Sequence, residues 1–505
     1  MLACLLATGC ADSTEEALQK GAQAQQLLDQ NQLPAAREAI AEAIAERDDI
    51  VDLHILRARI EFAAGSPSSA YDAYYDAMSL DTSNPEALMG VAQLGLRTGH
   101  LRDSFDATEK ILALDPGQSD ARLLYGVQLV FRRRYEEAIA EANKILAAQP
   151  DSQNAAILKS RALFLSGNKA EAMATINSEL LVSLKNEPLA LTRLELYRET
   201  GDTQKMLEQF AVLKAVGATT PALQTDEANL RYKMGQSAQA MQLLVEAASD
   251  MRLSQADARS ITGLWREYSN GGPDDAQVGR ILANESPVVR EEFARYFIEI
   301  GDARNAQRFV SGLKTPNAKG LQARVYLLQA RLQDARALAN DILDQDETQC
   351  DALIVRSSLS LRAGKSASAL QDAQRSAAEC SSNIDAWIAV ASAYDVRAKE
   401  TGAQRAFLQG IAANPQNFRL TKAYASWLET HGRTMAAVAA GRRLTRAVPA
   451  LNSAWILYED LCRRHDPACV GDAQSGLEAA RRRYAIDLPR DSMPPVGMFG
   501  RLNRR

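Results

Sequence analysis

The chain is poor in the residues from which active sites are built. It has four histidines, His54, His100, His431 and His465, scattered along 505 residues. No HExxH sequence occurs, and no Ser-His-Asp set can be assembled from neighbouring segments, which excludes the common zinc-protease and serine-hydrolase arrangements. The glycine run at Gly271-Gly272-Pro273 lacks the Gly-Lys-Ser/Thr ending of a phosphate loop. Acidic pairs such as Glu136-Glu137 and Glu291-Glu292 read as solvated helix faces. Charge of one sign is not in excess either: 58 Lys and Arg stand against 63 Asp and Glu, a net −5 of mixed signs that argues against a general nucleic-acid binder. No run of about 18 uncharged apolar residues exists, so no transmembrane helix is expected. Aromatics are only 6 % and β-branched alternation is missing, while alanine and leucine dominate. An all-α fold without an enzymatic site, cofactor or metal is the reading these absences leave.

What is present is a pattern returning about every 34 residues. It runs through Leu88, Ala92, Gly95, Ser104, Thr108 and Pro116, then Arg122, Gly126, Leu129, Ala138, Ala142 and Pro150. It returns at Trp387, Ala391, Tyr394, Ala403, Phe407 and Pro415, and at Thr421, Ala425, Leu428, Ala437, Gly441 and Pro449. Small residues such as Ala92, Gly126, Ser160, Ala391 and Ala425 suit two helices that approach closely. Gly99, Gly167, Gly201, Gly235, Gly301, Gly364 and Gly432 fall between paired helices, where a left-handed residue ends the first of them. Prolines at 116, 150, 415 and 449 stop the second. Three signals in one register predict helix hairpins stacked in a row.

These residues resemble the tetratricopeptide-repeat family over nearly the whole chain, from about Leu18 to about Tyr484. The best units are 85–118, 119–152, 384–417 and 418–451; those at 17–50, 51–84, 153–186, 221–254 and 350–383 lack the terminal proline or the aromatic. The resemblance implies a right-handed superhelical solenoid of antiparallel hairpins, with about 13–14 repeats. Residues 11–254 are expected to form an N-terminal array and 287–485 a C-terminal array with a capping helix. The stretch 255–286, with Ser-Asn-Gly-Gly-Pro from Ser269, breaks the pattern as a degenerate repeat or a flexible joint. The unit opening at Pro287 is short, because Ala330 takes the place that Gly301 holds one unit earlier. Residues 486–505 read as a flexible basic Pro/Gly tail, with Met498 and Phe499 as potential docking anchors.

The chain opens Met-Leu-Ala-Cys-Leu-Leu-Ala-Thr-Gly-Cys and turns polar at Ala11-Asp12-Ser13. Leu6 to Cys10 resemble the end of a bacterial lipoprotein signal, which implies lipidation at Cys10 and removal of residues 1–10. The run is short and has no Lys or Arg before it, so the expectation includes a true start upstream of Met1. Ala11 after the cysteine, by analogy with lipoprotein sorting, favours the periplasmic face of the outer membrane; a cytosolic protein with an apolar tail is the alternative. The other cysteines, Cys350, Cys380, Cys462 and Cys469, fall in pairs at points a hairpin brings together, which predicts two disulfides. Four unconnected buried thiols are the alternative. Their spacing does not suit zinc.

In this family the first helix of each unit lines the concave groove. The residues so placed are Met89, Leu96, Leu123, Val127, Val130, Ile157, Arg161 and Phe164, a mostly apolar stripe, while units 384–451 present a mixed-charge strip including Asp385 and Arg419. Partners are expected to be other proteins held in that groove, unless the superhelix buries the stripe. The functional expectation is a lipid-anchored periplasmic scaffold for assembly of a cell-envelope system: polysaccharide export, a pilus or outer-membrane biogenesis. A cytosolic peptide-binding adaptor is the alternative.

Overall fold

The computed structural model describes residues 5–182, 184–269 and 272–482, with side chains from residue 13 onward except Val182. Among these residues the chain is 29 α-helices and one short 3-10 turn, with no strand. In most hairpins the two helices pack on each other, and several successive first helices also pack together, as Ser119–Phe131 does with Gln153–Leu165 and Pro316–Leu328 with Cys350–Arg362. The result is an all-α tetratricopeptide-repeat solenoid.

Most turns between paired helices contain one left-handed residue. Seven of these residues are the glycines from Gly99 to Gly432 expected from the sequence, with φ between 70° and 98°. Asn31, Arg133, Ala330 and Ala398 take the same conformation at φ 54–59° without being glycine. The backbone then closes as a Schellman motif, as where Arg134 N–H donates to Leu129 O at 2.8 Å and Arg331 N–H to Tyr326 O at 2.9 Å. Small residues let the paired helices touch, and several are serines that bond the facing backbone. Ser160 Oγ donates to Ala172 O at 2.9 Å, and Ser357 Oγ to Ala369 O at 2.8 Å.

The chain divides into two compact units between Leu196 and Tyr197, inside the helix Glu187–Thr200. The first contains the hairpins from Leu5–Asp29 with Leu33–Glu46 to Gln153–Leu165 with Lys169–Ile176. The second contains those from Pro221–Lys233 with Ser237–Ser249 to Asn452–His465 with Val470–Arg482. The pattern-breaking stretch 255–286 lies wholly within this second unit. Its helix Gln255–Tyr268 buries Trp265 completely against Phe293 and Tyr296, at ring-centroid distances of 5.4 and 5.3 Å. Its second helix, Asp275–Ile281, is cut to seven residues and starts from a capping box at Asp274. Gly272 sits so close to Tyr296 that a Cβ would lie 2.6 Å from its Oη. Buried Asn284 ties the segment back to Ala248 O and Asp250 O at 3.3 and 2.8 Å. The sequence irregularity is thus a shortened hairpin packed around bulky aromatics.

Candidate protein-binding surfaces

The inner face of the first unit is formed by the first helices Val51–Ala63, Pro85–Thr98, Ser119–Phe131 and Gln153–Leu165. Three residues expected to line it are submerged. Leu123 and Val127 are buried with Ala142, Ile145, Ala155 and Leu158, and Ile157 is buried with Ile176, Leu189 and Leu196. The cause is the close approach of successive first helices: at Gly126 an added Cβ would lie 2.4 Å from Leu158 Cδ2. Those positions face the seam between repeats and present no surface to a partner. Met89, Leu96, Val130 and Phe164 are half-buried and pack on the same cores. Arg161 is held by Glu195, with Nη2 2.8 Å from Oε2.

Exposed apolar surface lies earlier in the same register, at Leu18 and Phe62, which are 50 % and 53 % exposed. Neither belongs to the stripe expected from residues 85–186, although the repeat spacing places Phe62 one unit before Leu96. Around Leu18, Gly21, Ile55 and Arg59 the face opens into a groove of about 560 Å³. Asp52 and Glu86 stand at its margin. Glu86 accepts a two-pronged contact from Arg59, Nε to Oε1 at 2.7 Å and Nη2 to Oε2 at 2.5 Å.

The second unit treats its inner face differently. Asp351, with a side chain only 2 % exposed, receives Arg295 at 3.0 Å and Arg324 at 3.1 Å. Arg324 also bonds Asp385, which receives Arg419 at 2.6 Å. Arg419 reaches to within 3.9 Å of Glu299, which is bonded by Arg266 at 2.8 Å. Since Arg295 and Glu299 share the helix Pro287–Glu299, these charges form a closed cycle across five first helices. Burial alone would raise the Asp385 carboxyl, but Arg324 and Arg419 together hold it down to about 2. Burial likewise opposes the charge on Arg324, yet Asp385 and Asp351 keep that guanidinium firmly protonated. The mixed-charge strip seen in the sequence at Asp385 and Arg419 is therefore satisfied within the fold.

Further contacts join distant repeats of this unit. Lys233 Nζ donates to Ala450 O at 3.2 Å and Ala480 O at 2.7 Å, and burial pushes its amine down to about 8 against the pull of Glu267. Glu267 accepts the Ser453 N–H at 3.1 Å, in the first turn of the helix Asn452–His465. Carboxylates at a helix N-terminus are favourable because its amides lack partners there. Nothing in the linear spacing points to these pairings.

Cys350 and Cys380 form one disulfide, with Cα atoms 6.4 Å apart, and Cys462 and Cys469 a second at 5.6 Å. The histidines are all engaged. His54 Nε2 lies 2.7 Å from Asp48 O, His100 stacks on Tyr71, His431 Nε2 is 3.1 Å from Asp395, and His465 Nε2 is 2.5 Å from Glu429. The side chain of Cys10 and the tail 486–505 with Met498 and Phe499 lie outside the described residues.

The tetratricopeptide-repeat family model matches residues 22–85 and 126–185. No curated protein matches the chain. Among solved structures, a tetratricopeptide repeat protein from Parabacteroides merdae is 18 % identical, covering 50 % of this chain and 98 % of its own, with a TM-score of 0.43. PilW, a type IV pilus biogenesis factor, is 21 % identical over 41 % of this chain and 97 % of its own, at 0.35. Yeast Tom70 is 11 % identical over 86 % of this chain and 96 % of its own, at 0.33. Family match, left-handed turns in one register and stacked hairpins agree: residues 22–85 and 126–185 match tetratricopeptide repeats within an all-α solenoid of that kind, an architecture that serves as a scaffold for protein–protein interaction.

Proposed function

We propose that this scaffold is non-enzymatic and works in the bacterial cell envelope, tethered by lipid at Cys10 to the periplasmic face of the outer membrane. There it assists assembly of an envelope system such as a polysaccharide exporter, a pilus or the outer membrane itself. The observation that carries this reading is the cysteine usage: all four cysteines after residue 10 are paired in two disulfides. Such bonds persist in oxidising compartments and are rare in a reduced cytosol. The apolar run ending at Cys10, followed at once by polar residues, supports the same compartment. Protein binding is assigned to the first unit, whose inner face keeps an open groove, while the inner charges of the second are paired with one another.

Intact mass of the protein from its native host, measured with and without reduction, tests the proposal. The expected result is an acylated chain beginning at Cys10 that gains the mass of two reduced disulfides. A chain retaining residues 1–10 with all thiols free would overturn it and leave a cytosolic peptide-binding adaptor.

A further inference from the structure

The first complete hairpin of the second unit, Pro221–Lys233 with Ser237–Ser249, meets the hairpin Asn452–His465 with Val470–Arg482, although 247 residues separate Lys233 from the carbonyl it reaches. Lys233 Nζ donates to Ala480 O near the end of the helix Val470–Arg482, and to Ala450 O just before Asn452. Glu267, at the end of the next first helix, accepts the Ser453 N–H, and its charge favours the ammonium of half-buried Lys233. Both latches therefore grip the open end of one hairpin. Its other end is tied by Cys462–Cys469. Between the two, a Cβ at Gly476 would collide with Trp455, whose Nε1 donates to Pro449 O at 2.9 Å. A hairpin fixed at its turn and tightly packed keeps Ser453 and Ala480 at a set spacing, so Glu267 and Lys233 engage together.

Arg266 stands beside Glu267 on the same helix and belongs to the inner charge cycle, with Nη2 2.8 Å from Glu299 Oε2. Glu299 in turn meets Arg419, which bonds Asp385. One helix end thus holds the distant hairpin with one side chain and the cycle with its neighbour. We propose that the hairpin 452–482 is a strap that closes the second unit on itself, and that its two latches and the inner charge cycle fasten and loosen together. A shift of the Gln255–Tyr268 helix end that releases Ser453 also carries Arg266 away from Glu299, because adjacent residues of a helix move as one body. While fastened, the strap keeps this face filled by its own charges. Simple helix caps would act otherwise: each would steady only the helix end it touches, and Glu299 would have no bearing on the strap.

Spin labels carried on ketone-bearing residues at positions 242 and 475, where Gln242 and Ser475 are exposed on the second helices of the two hairpins, read the closure as a distance in the full chain by double electron–electron resonance. The otherwise unaltered chain should give one narrow distance. Lys233→Met with Glu267→Gln should lengthen and broaden it. Lys233→Met alone should do so less, and it carries the test where circular dichroism shows that the paired changes impair folding. Glu299→Gln, which touches neither latch, should broaden the same distance. Asp334→Asn, in an exposed pair with Arg331, should leave it unchanged. A narrow, unshifted distance in both latch variants would overturn the strap. A broad distance in those variants beside an unchanged one in Glu299→Gln would overturn the coupling and leave the strap acting by itself. A broad distance in the unaltered chain would overturn both.

Discussion

Asp385 is the residue on which the inner face of the second unit can be tested most sharply. It sits between Arg324 and Arg419, nearly out of solvent, with its carboxyl held down to about 2 against an ordinary 3.8. That difference, near two units at about 1.4 kcal/mol each, corresponds to about 2.5 kcal/mol of stability at neutral pH. Because the folded value lies below the unfolded one, the contribution is complete above about pH 4. It declines as pH falls and is gone below about pH 2. Asp385→Asn keeps the shape but removes the charge, so it should cost about 2.5 kcal/mol at pH 7. For a unit of this size that is a fall of about 4 °C in melting temperature. Asp334→Asn, which breaks an exposed pair with Arg331, should cost under about 0.5 kcal/mol. Melting followed by circular dichroism should show the Asp385→Asn deficit at pH 7 and a closing gap towards pH 2. An equal deficit at both pH values, or none at pH 7, would refute the electrostatic account of this face.

Reduction should loosen the second unit alone. By loop-closure entropy the 30-residue link between Cys350 and Cys380 is worth about 3.5 kcal/mol and the 7-residue link between Cys462 and Cys469 about 2.5. Hydrogen exchange should quicken in the helices those bonds join and stay unchanged in the hairpins before Ile176. Ala330→Gly relieves an alanine at φ 59° and should stabilise by about 0.5 kcal/mol, net of the entropy glycine adds to the unfolded chain. The opposite change, Gly99→Ala at φ 91°, should destabilise by about 1 kcal/mol, read from the same melting curves. Glu267→Ala should speed exchange of the Ser453 amide while leaving the amide of Leu420, capped by Asn417, unchanged.

The repeat architecture was legible in the sequence because its causes are local. A left-handed residue, a small residue at a close contact and a terminal proline each act within a few positions, and an array repeats them in register. The shortened hairpin opened by Pro287 was visible in the spacing of Gly301 and Ala330, both left-handed in the structure. The cysteines could be paired from the register, since a hairpin brings the start of one helix beside the end of the next. The binding stripe was only partly legible. Position within a helix says that Leu123, Val127 and Ile157 point inward; whether inward means the groove or the seam depends on how closely the next repeat approaches, which Gly126 and Leu158 decide. Lys233 meeting Ala480, Glu267 meeting Ser453 and Glu299 approaching Arg419 lie further still from any linear signal. Such contacts depend on small rotations accumulated over several repeats. The sequence by itself determined the repeating hairpin, while the tertiary structure alone decided which inner faces are filled by the chain's own charges and which stay open, because curvature is a sum over many interfaces and no single residue encodes it.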